Sequence, residues 1–120
     1  MLFRSTFSGN ISAPNLSGTN TGDQVLSEIG VGQTWQDMTA SRSSGFTYTN
    51  TTGKPITAAV SLRDSLTLAP ASGFVGAIRV IYNYDLGGGA GASFSFIIPA
   101  GSTYRCDYGA NTLQSWVELR

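Results

Sequence analysis

From Thr34 onward, apolar and polar residues alternate with a period of two. Ile56, Ala58, Val60 and Leu62 take turns with Thr57, Ala59, Ser61 and Arg63, the pattern of a strand with one buried face. Leu66 and Leu68 repeat it beyond a turn at Arg63-Asp64-Ser65. The longest run goes from Phe74 to Tyr84. In it Phe74, Gly76, Ile78, Val80, Tyr82 and Tyr84 share one face, while Val75, Ala77, Arg79, Ile81 and Asn83 share the other. Phe94, Phe96 and Ile98 line the next strand, and Pro99-Ala100-Gly101 turns it into a strand over Ser102 to Tyr108. Leu113, Ser115, Val117 and Leu119 finish the chain, opposite Trp116 and Glu118. With shorter segments at Thr34–Ala40 and Phe46–Thr51, this makes about eight short strands spaced roughly 8–12 residues apart. Such spacing predicts an all-β domain over residues 34–120, an antiparallel, jelly-roll-like β-sandwich. No stretch after Gly32 offers a helix.

Residues 1–33 read as an extended arm. Leu2, Phe3, Phe7, Ile11 and Leu16 are isolated among Ser, Gly and Asn, too sparse to bury a face within one chain. Such a segment is either floppy or ordered by neighbouring copies that supply the missing partners. Asp23 can cap one helical turn carrying Val25, Leu26 and Ile29, which stops at Gly30-Val31-Gly32. A single turn is marginal alone in water.

Strands that alternate direction sort their loops onto two ends. With Thr34–Ala40 entering from the arm, the loops Ser41–Gly45, Arg63–Ser65, Asp85–Ala92 and Gly109–Asn111 fall at the far end. Thr52–Lys54, Ala69–Gly73 and Pro99–Gly101 fall at the arm end.

Composition narrows the chemistry. Seven Lys and Arg balance seven Asp and Glu, and charged residues make up 12% of the 120. The electrostatic footprint of a nucleic-acid or anionic-membrane binder is therefore missing, and no apolar run approaches the ~18 residues of a membrane span. The opening Met1-Leu2-Phe3-Arg4-Ser5-Thr6-Phe7 lacks the basic-then-apolar layout of a signal peptide. Ser, Thr, Gly and Asn supply about two residues in five, against nearer a quarter in ordinary usage. The sequence has no histidine and one cysteine, Cys106. The commonest general base and metal ligand is thus missing, and no internal disulfide is available.

Neither a metal nor another cofactor is expected, because hard cations want clustered carboxylates and soft ones want His or Cys. Asp37, Asp64, Asp85, Asp107 and Glu118 are dispersed. Asp64 and Asp85 share the far end, so a glycosidase pair is conceivable, but solvated or Asx-turn roles are the better account of such carboxylates. Asp85-Leu86-Gly87-Gly88-Gly89-Ala90-Gly91-Ala92 follows a strand yet lacks the Lys-Ser/Thr and helix of a phosphate loop. Tyr82, Tyr84, Tyr104, Tyr108, Trp35 and Trp116 have flat apolar faces with polar rims that suit stacking on sugars. Tyr82, on the face of Phe74, Ile78 and Val80, is expected in the core. Tyr84 and Tyr108, at far-end strand termini, are better placed for a ligand.

The arm segment Gly18-Thr19-Asn20-Thr21-Gly22-Asp23-Gln24 is similar to one that recurs in bacteriophage and prophage tail fibres. Gly32-Gln33-Thr34-Trp35-Gln36-Asp37-Met38-Thr39-Ala40-Ser41-Arg42, followed by Thr47-Tyr48-Thr49-Asn50-Thr51-Thr52-Gly53-Lys54-Pro55-Ile56, resembles the C-terminal tip module of such fibres. Pro99-Ala100-Gly101-Ser102-Thr103-Tyr104 and Trp116-Val117-Glu118-Leu119-Arg120 fit the same pattern, while Ala58 to Phe96 matches loosely. The resemblance implies a homotrimeric, virion-borne tip, joined to an upstream fibre shaft, that recognises a bacterial surface glycan or outer-membrane protein. It implies no catalytic residues, no nucleic acid and no membrane insertion. A lone Cys fits assembly in a reducing host cytoplasm.

The expectation is therefore a binding protein rather than an enzyme. Arg42, Arg63, Asp64, Tyr84, Asp85, Tyr108 and Asn111 are the candidate receptor contacts, because Arg pairs with anions, Asp and Asn bridge hydroxyls, and Tyr stacks. Phe7, Ile11, Leu16, Val25, Leu26 and Ile29 are the candidate trimer contacts. The alternatives are a tip that depolymerises surface polysaccharide and a purely structural trimerisation module.

Overall fold

The computed structural model describes residues 28–63, 69–84 and 91–120. The helical turn after Asp23, the strand at Leu66–Leu68, and the site candidates Phe7, Ile11, Leu16, Val25, Leu26, Asp64 and Asp85 lie outside these residues.

Eight strands run in chain order: β1 (Trp35–Asp37), β2 (Tyr48–Thr49), β3 (Ile56–Arg63), β4 (Ala71–Val75), β5 (Ile78–Asn83), β6 (Ala92–Ile98), β7 (Thr103–Asp107) and β8 (Thr112–Leu119). Between β1 and β2 a single 3-10 turn spans Thr39–Ser41. One sheet has the order β1-β8-β3-β6 and the other β2-β7-β4-β5, all antiparallel. The first strand thus pairs with the last, the second with the seventh, the third with the sixth and the fourth with the fifth. This nested pairing is a jelly roll. Mutual hydrogen bonds between Thr34 and Arg120, at 3.0 and 3.1 Å, carry the β1–β8 ladder to the chain's entry and exit.

The core lies between the sheets. Ile56, Ala58, Val60 and Leu62 of β3 face Tyr104 and Cys106 of β7, with Phe96, Ile98 and Trp116 filling the layer. Two bulges set which residues point into it. In β8 the register passes from Ser61–Ser115 to Leu62–Leu113, leaving Gln114 as the extra residue. An extra residue reverses strand parity, so Leu113 and Trp116 both pack inward. In β5 the register passes from Phe74–Arg79 to Gly73–Ile81, leaving Val80 extra.

The run from Phe74 to Tyr84 is not one strand. Gly76 and Ala77 form a two-residue turn, with Gly76 at φ 58°, a conformation that glycine adopts without steric cost. Ala69–Gly73, expected as a loop, supplies the start of β4 instead. Ser41–Gly45 and Gly109–Asn111 keep the far end expected of them, and Thr52–Lys54 and Pro99–Gly101 the arm end, but Ala69, expected at the arm end, lies at the opposite one beside Asn111, and the Gly76–Ala77 turn takes its place. At one end Asn50 joins the β2–β3 and β6–β7 loops. Its Nδ2 donates to Lys54 O at 2.7 Å, Ile98 O at 3.1 Å and Pro99 O at 3.2 Å, and its Oδ1 accepts from Thr52. Residues before β1 reach this end too, through Gln33 Nε2 to Pro55 O (2.8 Å) and Lys54 Nζ to Val31 O (2.9 Å). At the opposite end Asn111 Nδ2 donates to Ala69 O at 2.7 Å, and the Tyr108 amide donates to Ser44 Oγ at 3.0 Å.

Candidate functional site

Two polar clusters stand out, one inside the sandwich and one on its surface. The inner one centres on Glu118, which faces the core beside Trp116 and is fully buried. Its Oε1 accepts from Arg42 Nε (2.8 Å), Tyr104 OH (2.9 Å) and Trp116 Nε1 (3.0 Å). Its Oε2 accepts from Arg42 Nη2 (3.0 Å) and Arg120 Nη1 (2.9 Å). The Arg42 guanidinium also lies 4.4 Å from the Tyr48 ring centroid. Burial pushes the Glu118 carboxyl up, but the hydrogen bonds from Arg42 and Tyr104 and the charges of Arg42 and Arg120 outweigh it. The net result is a carboxyl held below its ordinary value.

This corrects the expected place of Arg42. Its side chain is 9% exposed and turned between the sheets, because the chain leaving β1 folds back over β8 and an inward carboxylate waits there. A carboxylate that already accepts from five donors is a permanent counter-ion, with no lone pair left to move a proton. Cys106 is equally inert. Burial, with Asp107 and Glu118 nearby, pushes its thiol to about 12, far from the thiolate that a nucleophile needs.

The outer cluster lies on the exposed face of the second sheet. Register places Arg79, Phe74 and Arg105 in one row across β5, β4 and β7, and Tyr82, Ser72 and Asp107 in the next. The Arg79 guanidinium stands 4.5 Å from the Tyr82 ring centroid, and that of Arg105 stands 4.5 Å from the Phe74 ring centroid. Arg105 Nε also pairs with Asp107, 2.9 Å from Oδ1, and donates its hydrogen bond to Oδ2 at 3.1 Å. Tyr82 and Tyr84 are 51% and 54% exposed, with ring centroids 6.4 Å apart. Tyr82, expected in the core, is therefore on the surface. The bulge at Val80 turns Ile81 inward against the core and leaves Tyr82 pointing out.

The remaining rim candidates divide. Arg63 is exposed at the end of β3, and Tyr84 is exposed just beyond β5. Tyr108 and Asn111 are buried: Tyr108 belongs to the core cluster, and Asn111 ties the β7–β8 loop to Ala69. The structure thus brings Tyr84 together with Tyr82 and Arg79, two residues outside the sequence-based selection. The signal in the sequence is the spacing of two between the tyrosines, which puts Tyr82 on the face of Phe74, Ile78 and Val80 because the bulge at Val80 leaves no mark in the pattern.

The outer face of the first sheet is graded. Trp35, Leu119, Thr57 and Ile97 form a row across all four strands at the arm end, apolar except at Thr57, with Trp35 and Ile97 exposed. Ser115, Ser61 and Ser93 form a polar row nearer the other end, joined by Ser93 Oγ donating to Ser61 Oγ at 3.2 Å. Ile29, the one described arm candidate, is exposed near the arm end.

Among the described residues no three of Cys, Asp and Glu come together as metal ligands, and no helix is long and apolar enough to cross a membrane. Comparison with protein-family models, curated proteins and solved structures found no match.

Proposed function

We propose that this chain is the tip of a bacteriophage tail fibre and binds the bacterial surface during adsorption. The phage assignment rests on the resemblance carried by Gly18–Gln24 and Gly32–Arg42. The observation that carries the binding reading is the pair of half-exposed tyrosines beside Arg79 on a free sheet face. Aromatic rings next to a cation make a recognition surface for sugars or protein loops. Among the described residues, Glu118 and Cys106 are sealed in the core.

The active form in this proposal is a homotrimer built through residues 1–33. The row Trp35–Leu119–Thr57–Ile97 supports it, because the row begins one residue after Thr34, where the arm meets β1. Exposed apolar residues continuous with such a segment suit burial against a second copy. Three weak sites on one assembly then gain avidity when they engage one surface together. The tip sits in the virion, attached to an upstream shaft.

The test combines light-scattering mass with adsorption of the purified chain to host cells and competition against phage infection. A trimer that adsorbs and competes supports the proposal. A trimer that does neither is a structural clamp, release of reducing ends from host polysaccharide makes it a depolymerase, and a stable monomer removes the role of the arm.

A further inference from the structure

We infer that the Tyr82–Tyr84–Arg79 face is a carbohydrate subsite for a pyranose carrying a negatively charged group, either a carboxylate or a phosphate. This rests on the surface-binding proposal and names the ligand class. Three observations lead to it. First, the two rings form a continuous aromatic strip, 6.4 Å between centroids and tilted by 34°. The C–H face of a sugar is attracted to such π surfaces, whose quadrupole is negative over the ring. Second, the Arg79 guanidinium lies over part of this strip, 4.5 Å from the Tyr82 ring centroid. A guanidinium held over a ring by its charge still carries five N–H donors, and its planar fork can take a carboxylate or phosphate in two parallel hydrogen bonds. Among the described residues Arg79 has no carboxylate partner.

Third, charge complementarity chooses the ligand. The other cation on this face, Arg105, is paired with Asp107, so among the described residues of this face the charge left over is the positive one of Arg79. A neutral sugar would fill the aromatic strip and leave the fork in water. An anionic sugar satisfies both. The subsite also sits on an edge strand whose bulge and arginine disfavour pairing with another strand, so the face is presented to a side-on ligand and not to β-augmentation.

Titration of the full chain with trigalacturonate, with glucose 1-phosphate and with neutral maltotriose tests the inference. The three arms separate a carboxylate source, such as a uronic acid capsule, from a phosphorylated lipopolysaccharide core and from neutral sugar. At least one anionic probe is expected to bind about tenfold or more tightly than maltotriose, with affinity falling as salt rises. Arg79→Gln should erase that preference and leave only weak, salt-independent binding. Tyr84→Ala should lose both anionic and neutral sugar. Both side chains are exposed, so unchanged thermal unfolding certifies that each variant is folded, and Tyr84→Phe should retain binding because the ring carries it. Equal affinity for all three probes, or an unaltered anionic preference in Arg79→Gln, overturns the inference. So does cell adsorption that is abolished by protease treatment of the cells and survives periodate oxidation of their glycans. If the chain adsorbs to cells normally while both variants do the same, the subsite fails and the surface-binding proposal stands. If the wild-type chain adsorbs to no host, that proposal fails as well.

Discussion

Replacing Glu118 by Gln should destabilise the domain severely, although the two side chains have nearly the same shape. The reason is an imbalance of donors and acceptors. Glu118 accepts five hydrogen bonds and donates none. The best placement of a glutamine keeps its carbonyl at Oε1, where it still serves Arg42 Nε, Tyr104 OH and Trp116 Nε1. Its NH2 group then replaces Oε2 and aims hydrogens at Arg42 Nη2 and Arg120 Nη1. Arg120 is 21% exposed and can swing into water, but Arg42, at 9%, cannot. The variant thus leaves a guanidinium inside the sandwich without its counter-charge. Breaking one partner of a buried ion pair costs about 3–5 kcal/mol. Because the Tyr104 and Trp116 bonds survive, Glu118→Gln belongs near the lower figure. Glu118→Leu strands those two donors as well and belongs near the upper one. For a domain of 60–100 residues, about 3 kcal/mol corresponds to a fall of at least about 12 °C in Tm. Urea and thermal unfolding followed by tryptophan fluorescence read this out, with all variants compared at one protein concentration because assembly makes the midpoint concentration-dependent. A Glu118→Gln domain within about 1 kcal/mol of wild type would refute the reasoning, since no buried counter-ion can be dispensed with so cheaply.

Acid should act through the same carboxylate. The folded-state pKa of Glu118 lies below its ordinary 4.5, so its contribution to stability is complete above that value and is lost as pH falls through the folded-state value. Unfolding free energy should drop steeply below about pH 4, and the drop should flatten in Glu118→Gln, as denaturant titrations between pH 7 and 2.5 would show. Gly73→Ala should cost about 1–3 kcal/mol by overpacking, because its Cβ would stand 3.0 Å from Phe96 Cε1 and 3.4 Å from Ile81 Cβ; a neutral effect in urea unfolding would place slack in the core at this point. Asn50→Ala should cost about 2–3 kcal/mol, since the carbonyls of Lys54, Ile98 and Pro99 share its Nδ2 and lose a donor in a buried setting. The measurement is the same, and Asn50→Asp, which removes the donor but keeps the shape, should be as harmful.

The strands that read most directly are those whose alternation is uninterrupted. β3 buries Ile56, Ala58, Val60 and Leu62 as their spacing requires, and Phe96 and Ile98 of β6 do the same. Reading failed where a single residue reversed parity. Val80 and Gln114 are each the extra member of a bulge, and nothing in their chemistry distinguishes them from ordinary strand residues. The turn at Gly76-Ala77 was hidden for a related reason, because its glycine continued an apolar alternation on both sides. The Glu118 cluster was out of reach of any local pattern. Its partners Arg42, Tyr104 and Trp116 stand 76, 14 and 2 residues away, and only the pairing of β8 with β1 and the packing of β7 opposite bring them together. What local reading could supply was a pair of tyrosines two apart, without the side of the sheet on which they stand.

The same bulge links the interior to the surface. Had β5 continued in regular register past Arg79, the side-chain alternation would have carried Tyr82 toward the core and Ile81 out to water. Val80 reverses that assignment. Ile81 gains core packing, and the tyrosine pair is displayed without leaving an apolar gap behind it. Tyr82 stands on β5 with the Arg79 guanidinium over its ring, and β5 is hydrogen-bonded to β4, whose Gly73 lets Phe96 of the opposite sheet approach closely. A ligand-binding surface ordered in advance retains more of its contact energy as affinity. An exposed aromatic pair on an edge strand is thus compatible with a complete core, because Ile81 and not either tyrosine packs against the layer beneath it.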